Sequence, residues 1–120
     1  MQGPPDDRFE RVLSESEKAA LRDGVFVNRE LAGMDLTRAD LRGTHFERTR
    51  LARCDLANAD LRGAQFILCE IEGVILADAV LGDNRFDGTT LVDVHGLAPA
   101  SRALIERAGG TFLPSRASLR

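Results

Sequence analysis

Large apolar residues recur at every fifth position through the middle of the chain. The series runs Phe26, Leu31, Leu36, Leu41, Phe46, Leu51, Leu56, Leu61, Phe66, Ile71, Leu76, Leu81, Phe86 and Leu91, with no slip in register. With this central position written as i, the residue at i−2 is usually small: Ala39, Thr44, Thr49, Cys54, Ala59, Ala64, Cys69, Ala79 and Thr89. A five-residue period fits neither a 3.6-residue helix nor a two-residue strand. It fits a coil with short flat sides and a corner after each. Side chains at i−2 and i then point inward, those at i−1 and i+1 point outward, and i+2 is the corner. Gly33, Gly43, Gly63, Gly73 and Gly88, with Asn28 and Asn58, stand at that corner, and these residue types accept positive φ most readily.

A second period lies over the first. Phe recurs at 26, 46, 66 and 86, so four pentapeptides complete one coil and the Phe residues form one column. Successive coils hydrogen-bond at the sheet spacing, so residues 24–93 predict an all-β solenoid of about 3.5 coils, roughly 15–20 Å tall. Its interior is crowded and dry. Arg29 and Met34 are not small at i−2, which predicts an irregular first coil. Asn84 at i−2 is an inward amide, so it must bond backbone groups of adjacent coils. Gly96 stands where the next centre is due and ends the coil.

The flanks read differently. Residues 1–7 are rich in Pro, Gly and Asp and predict disorder. Asp7 with Glu10, and Ser14 with Glu17, have capping-box spacing, and Phe9, Val12, Leu13, Ala20 and Leu21 supply an apolar stripe. They predict a helix within 8–22, stopped at Asp23-Gly24, in a cap spanning 8–23. The repeat domain extends to 96. Residues 97–108 predict a second helix, with Pro99 in its first turn, Leu97, Leu104, Ile105 and Ala108 on one stripe, and Gly109-Gly110 at its end. Thr111-Phe112-Leu113 reads as a last extended segment of a cap spanning 97–113, and 114–120 as a loose tail. Stacked repeats leave open edges and open apolar layers, which such caps close.

The blocks Ala39-Asp40-Leu41-Arg42-Gly43 and Ala59-Asp60-Leu61-Arg62-Gly63 are identical. They resemble the A(D/N)LXX signature of the pentapeptide-repeat proteins, and the resemblance covers residues 24–93. It implies a right-handed quadrilateral β-helix, the handedness coming from the family and not from the period. In some members a C-terminal helix forms a homodimer. Others imitate duplex DNA, bind a type II topoisomerase such as DNA gyrase and protect it from inhibitors.

Chemistry finds little purchase in this pattern. Catalysis needs groups converging in a cleft, whereas this interior is apolar and the exterior convex. His45 and His95 fall at i−1, facing solvent in different columns. Asp35 with Asp55, and Asp40 with Asp60, stack on adjacent coils as like charges with Arg38, Arg42 and Arg62 nearby, and read as solvated decoration. Cys54 and Cys69 lie at i−2, as buried free thiols. No metal-ligand spacing, phosphate loop or cofactor motif occurs, and the reading is of a protein that is not an enzyme and takes no cofactor.

Net charge is −3, Lys occurs once, and Trp and Tyr are absent, so direct nucleic-acid binding is not expected. No apolar run nears the roughly 18 residues that span a bilayer, and no signal-peptide pattern opens the chain, so a cytoplasmic location away from membranes is expected. Charge is uneven along the rod. Residues 24–63 hold seven Arg against six acids; residues 64–93 hold Arg85 against Glu70, Glu72, Asp78, Asp83, Asp87 and Asp93. Apolar Ile67, Leu68, Ile75 and Val80 occur at outward or corner positions, with Val27 two coils from Ile67. They read either as covered by a terminal helix or as a partner surface, joined by Glu70, Glu72, Asp78, Asp83 and Asp87. The expected function is a non-catalytic protein-binding or scaffold module with an unidentified protein partner. The alternative is the DNA-mimicking gyrase binder. A homodimer would form through the C-terminal helix or the patch around Ile67.

Overall fold

Each extended segment of the repeat is three residues long because a left-handed corner follows every centre by two positions. In the computed structural model, which describes residues 21–115, every i+2 position from Asp23 to Asp93 has positive φ. Ten of these corners are not glycine, among them Arg38, Arg48, Arg53 and Leu68. The corner therefore accepts more than the Gly and Asn that mark it in the sequence. Left-handed backbone costs a residue with a Cβ about 1–2 kcal/mol, and the ladder between coils holds it there. The corner N–H of Asn28 donates to Glu47 O at 3.0 Å, that of Arg48 to Ile67 O at 2.9 Å, and that of Leu68 to Asp87 O at 2.8 Å.

The strands are β1 (Val25–Val27), β2 (Glu30–Ala32), β3 (His45–Glu47), β4 (Arg50–Ala52), β5 (Gln65–Ile67), β6 (Glu70–Glu72), β7 (Thr90–Val92) and β8 (Thr111–Phe112). All pairing is parallel. One sheet runs β1-β3-β5 and the other β2-β4-β6-β7-β8. Phe26 pairs with Phe46, Phe46 with Phe66, Leu31 with Leu51, and Leu51 with Ile71, so partners lie 20 residues apart. The protein is a parallel β-helix solenoid, four pentapeptides to a coil. The four Phe rings stack with centroids 4.9, 4.8 and 5.0 Å apart, the sheet spacing itself.

Burial follows the period. Of the expected centres, Phe26 and Leu81 are partly buried; Leu31, Leu36, Leu41, Phe46, Leu51, Leu56, Leu61, Phe66, Ile71, Leu76, Phe86 and Leu91 are buried. The small i−2 residues Ala39, Cys54, Ala59 and Ala64 are fully buried between them. The gap lined by Leu56, Leu61, Phe66, Ile71, Val74, Leu76, Leu81 and Phe86 is about 10 Å³ and that between Leu21, Phe26, Leu31, Met34, Leu36, Leu41 and Phe46 about 40 Å³, and both linings are apolar. Met34 packs against this core, whereas Arg29 at the other exceptional i−2 position is exposed.

The four sides are of two kinds. Those centred on Phe26 and Leu31, and their equivalents in the next two coils, are flat strands. Those centred on Leu36 and Leu41, and theirs, pair through single bridges such as Asp35 with Asp55 and Asp40 with Asp60. On these turn sides the carbonyl of the centre accepts the N–H three residues on, as in Leu36 to Ala39 (3.1 Å) and Leu61 to Ala64 (3.0 Å). With positive φ at the corner, each is a type II turn.

At the N-terminal end the repeat begins earlier than Phe26. Leu21 packs on the core, Gly24 N–H donates to Leu21 O at 3.0 Å, and Asp23 N–H donates to Arg42 O at 2.9 Å. Asp23 thus has the left-handed backbone of the later corners and is joined to the coil above. The remainder of the helix expected within 8–22, and the segment 1–7, lie outside the described residues. At the other end, pairing runs through His95, bridged to Ile75. A Cβ on Gly96 would lie 2.8 Å from that of Ala77, so a side chain there has no room. Helix α1 (Pro99–Arg107) follows, with Ile105 fully buried on the last coil. β8 then pairs with β7, Phe112 opposite Leu91, and the Arg102 guanidinium lies 4.3 Å from the centre of the Phe112 ring.

Candidate interaction surfaces

The residues with chemical potential are spread over the outside. His45, on the first strand side, contacts Glu47 at 3.2 Å, while His95 is exposed on a turn side. The two belong to different columns and share no cleft. Among the described residues no group of His, Cys, Asp or Glu is placed to hold a metal ion, and no helix is long and apolar enough to cross a membrane. Cys54 and Cys69 donate to the carbonyls of Leu31 (3.4 Å) and Phe46 (3.3 Å), and burial pushes both thiols up, away from the reactive thiolate.

The stacked aspartates are backbone caps. Asp35, Asp40, Asp55 and Asp60 each accept the N–H two residues ahead, at 3.1 or 3.2 Å. Arg42 grips Asp40 through two bonds of 2.9 Å, and Arg62 grips Asp60 in the same way. Arg42 also reaches Asp60 at 3.7 Å, so the like charges alternate with cations. Hydrogen bonding from Arg42 holds the Asp40 carboxyl down at about 2, and Arg62 lowers Asp60 likewise. Neither group is poised to exchange a proton near neutral pH.

The surface expected around the apolar outward residues divides into two. Leu68, at an exposed corner, borders the first strand side, where Ile67 is half-buried. It lines a broad open groove of about 540 Å³ with Asn28, Arg29, Glu30, Arg48, Thr49, Arg50 and Glu70. Glu70 and Glu72 are not free there: Arg50 bridges Glu72 at 2.8 Å, Glu30 at 2.9 Å and Glu70 at 3.7 Å. Asp87, in the next coil, pairs with Arg85. Ile75 and Val80, 38% and 45% exposed, lie half a coil away on the turn sides, with Asp78 and Asp83 at the corners after them. The signal that separates the two groups is legible in the chain: Asp at i−1 marks a turn side through the first two coils, and its place is taken by Ile75 and Val80 in the third.

This arrangement defines a repeat solenoid with a closed apolar interior and a decorated exterior. Residues 35–73 match the family model of pentapeptide repeats in eight copies, so this stretch of the chain is similar to that family. No curated protein matches the chain. Two solved structures of trypsin-treated QnrB1 variants, described as a plasmid-mediated fluoroquinolone resistance protein, are similar at 13% identity over 90% of each chain. Their TM-scores are 0.29 and 0.26, a likeness too distant to bear on partner or activity.

Proposed function

We propose that this chain is a non-catalytic protein-binding module that works through its outer faces, on the right-handed quadrilateral coil that the family resemblance implies. The observation that supports it is the contrast between an apolar interior and an exterior on which, among the described residues, large side chains such as Leu68 and Val80 are exposed. A photoreactive amino acid at the Leu68 corner, and separately at the Val80 position, tests the reading. The expected result is one cross-linked protein in native extract that also binds the purified chain. Purified chain that binds none of the cross-linked proteins would sink it.

A second reading, that the target is a type II topoisomerase engaged by DNA mimicry, draws on the family resemblance. Asp78, Asp83 and Asp93, carboxylates at exposed or half-exposed corners, favour it; the Arg42–Asp60–Arg62 lattice disfavours it. Gyrase supercoiling with and without a quinolone separates the two readings. Unchanged supercoiling and inhibitor sensitivity at saturating protein would remove the second.

A further inference from the structure

On the turn sides the i−1 residue has a backbone duty. Asp35, Asp40, Asp55 and Asp60 cap the N–H two positions ahead, and the bridged positions above Asp55 and Asp60 are Ile75 and Val80. Neither side chain can serve as a cap. At Val80 the duty passes to another residue: the Asn84 side-chain oxygen accepts Gly82 N–H at 2.7 Å. The same amide donates to Leu61 O at 2.7 Å and Ala64 O at 2.8 Å. The coil has replaced its cap, and position 80 is released for an apolar side chain, which is 45% exposed. Val80 and Ile75 are both among the exposed large apolar residues described.

The two corners beside this pair are acidic. Asp78 and Asp83 occupy the two corners following Ile75 and Val80, with φ of 58° and 53°, and Asp55 and Asp60 lie directly below the apolar pair. Two cations border this edge: Arg62, committed to Asp60 through two bonds, and Arg53, whose side chain lies against Gly73. His95 bridges Ile75 from above. An apolar pair within carboxylates is complementary to a chain carrying basic residues beside an apolar anchor.

We propose that Ile75 and Val80, with Asp78 and Asp83, form a docking surface for a basic, apolar-anchored segment of another protein. The proposal rests on the protein-binding reading and deepens it by naming the two turn sides that meet at Asp78 and the partner's chemistry. The groove at Leu68 offers no such match, because Arg48 and Arg50 already stand beside its glutamates.

The test uses the full chain and a labelled twelve-residue peptide alternating Leu with Arg, read by fluorescence anisotropy. Its counterpart alternating Leu with Glu is the control. Ile75→Asp with Val80→Asp restores the aspartate pattern of the first two coils, so the variant keeps a cap at both positions and should fold. Binding of the basic peptide is expected to fall at least tenfold in it, although the variant is more acidic than the parent. Asp78→Asn with Asp83→Asn should also weaken binding, and Leu68→Ser should leave it unchanged. Non-specific charge attraction predicts tighter binding to the Asp variant, and that result would overturn the proposal. So would a tenfold gain in affinity on ending the chain at Ser115, which would make residues 116–120 the occupant. Loss of binding with Leu68→Ser alone would move docking to the other corner while leaving the protein-binding reading intact. If the Leu68 and Val80 cross-links both fail, that broader reading falls with it.

Discussion

The strand sides and the turn sides carry the same apolar period and the same left-handed corners, yet they satisfy the backbone differently. On a turn side the centre's carbonyl is paired within its own coil, and aspartate two residues before the corner-side N–H caps that donor. On the Phe strand side the carbonyl is paired by a side chain from the next coil. Thr49 Oγ1 donates to Phe26 O at 3.2 Å, Cys69 Sγ to Phe46 O at 3.3 Å and Thr89 Oγ1 to Phe66 O at 2.7 Å. One side is closed locally and the other by stacking. The small residues at i−2 thus do more than leave room for the centres: for the Phe strand side they are the donors that join coils. Pairing buried carbonyls matters because an orphaned one costs about 1–3 kcal/mol.

The largest expected effect falls on what both sides share. Leu56→Arg places an unpaired charge in the apolar interior, at a cost above the roughly 5–15 kcal/mol that holds a domain together. Loss of the β-type circular dichroism signal is the expected result, while Leu56→Met should cost less than about 1.5 kcal/mol. A soluble, spectrally unchanged Arg variant would show that the interior is not the organising feature.

A smaller effect tests the turn side where its cap was replaced. Asn84→Ala removes the acceptor for Gly82 N–H and the donors to Leu61 and Ala64, and should lower stability by about 2–3 kcal/mol in urea unfolding. Combining it with Val80→Asp should recover part of that loss, since aspartate there can cap Gly82 again. No recovery would mean that the caps are not interchangeable.

On the strand side, Thr89→Val keeps the shape but removes the hydroxyl that bonds Phe66 O and accepts Cys69 N–H at 3.1 Å. A loss of about 1–2 kcal/mol is expected, with Thr89→Ser nearer to the parent because it keeps the bonds. Equal losses in Val and Ser would assign the residue to packing instead.

The smallest effect is electrostatic. Asp40 is held down at about 2 by Arg42, below the usual carboxylate range. A depressed folded value means its contribution is present above pH 4 and is lost as pH falls through about 2. The thermal midpoint should therefore fall between pH 4 and pH 2, and fall less in Asp40→Asn. The effect is modest because Asp40 and Arg42 are both accessible to water. Parallel pH curves for parent and variant would show that the ion pair contributes nothing.

Much of this was legible in the chain. The four-pentapeptide coil, the Phe column, the second helix and its following strand all follow from spacing, because a buried column needs the same residue type at the same angle in every coil. Asn84 was also legible, since an inward amide must find backbone partners. The start of the coil was not: Leu21 lies one period before Phe26, but Asp23-Gly24 reads equally as a helix stop and as a corner. Arg38, Arg48, Arg53 and Leu68 were not legible as corners, because no local preference puts these residues at positive φ and only the ladder between coils holds them there.

The outward apolar residues show the same division of information. Ile67, Leu68, Ile75 and Val80 follow closely in sequence, yet a corner every five residues places the first two and the last two on different sides of the coil. The sequence alone determined the period, the number of pentapeptides in a coil and the closed interior, since these depend on which residues can be buried together. Only the tertiary structure decided which carboxylates are occupied, because pairing depends on the coil above and below. Glu70, Glu72 and Asp87 are held by arginines, whereas Asp78 and Asp83 stand at open corners beside the two apolar residues that replaced the aspartate caps.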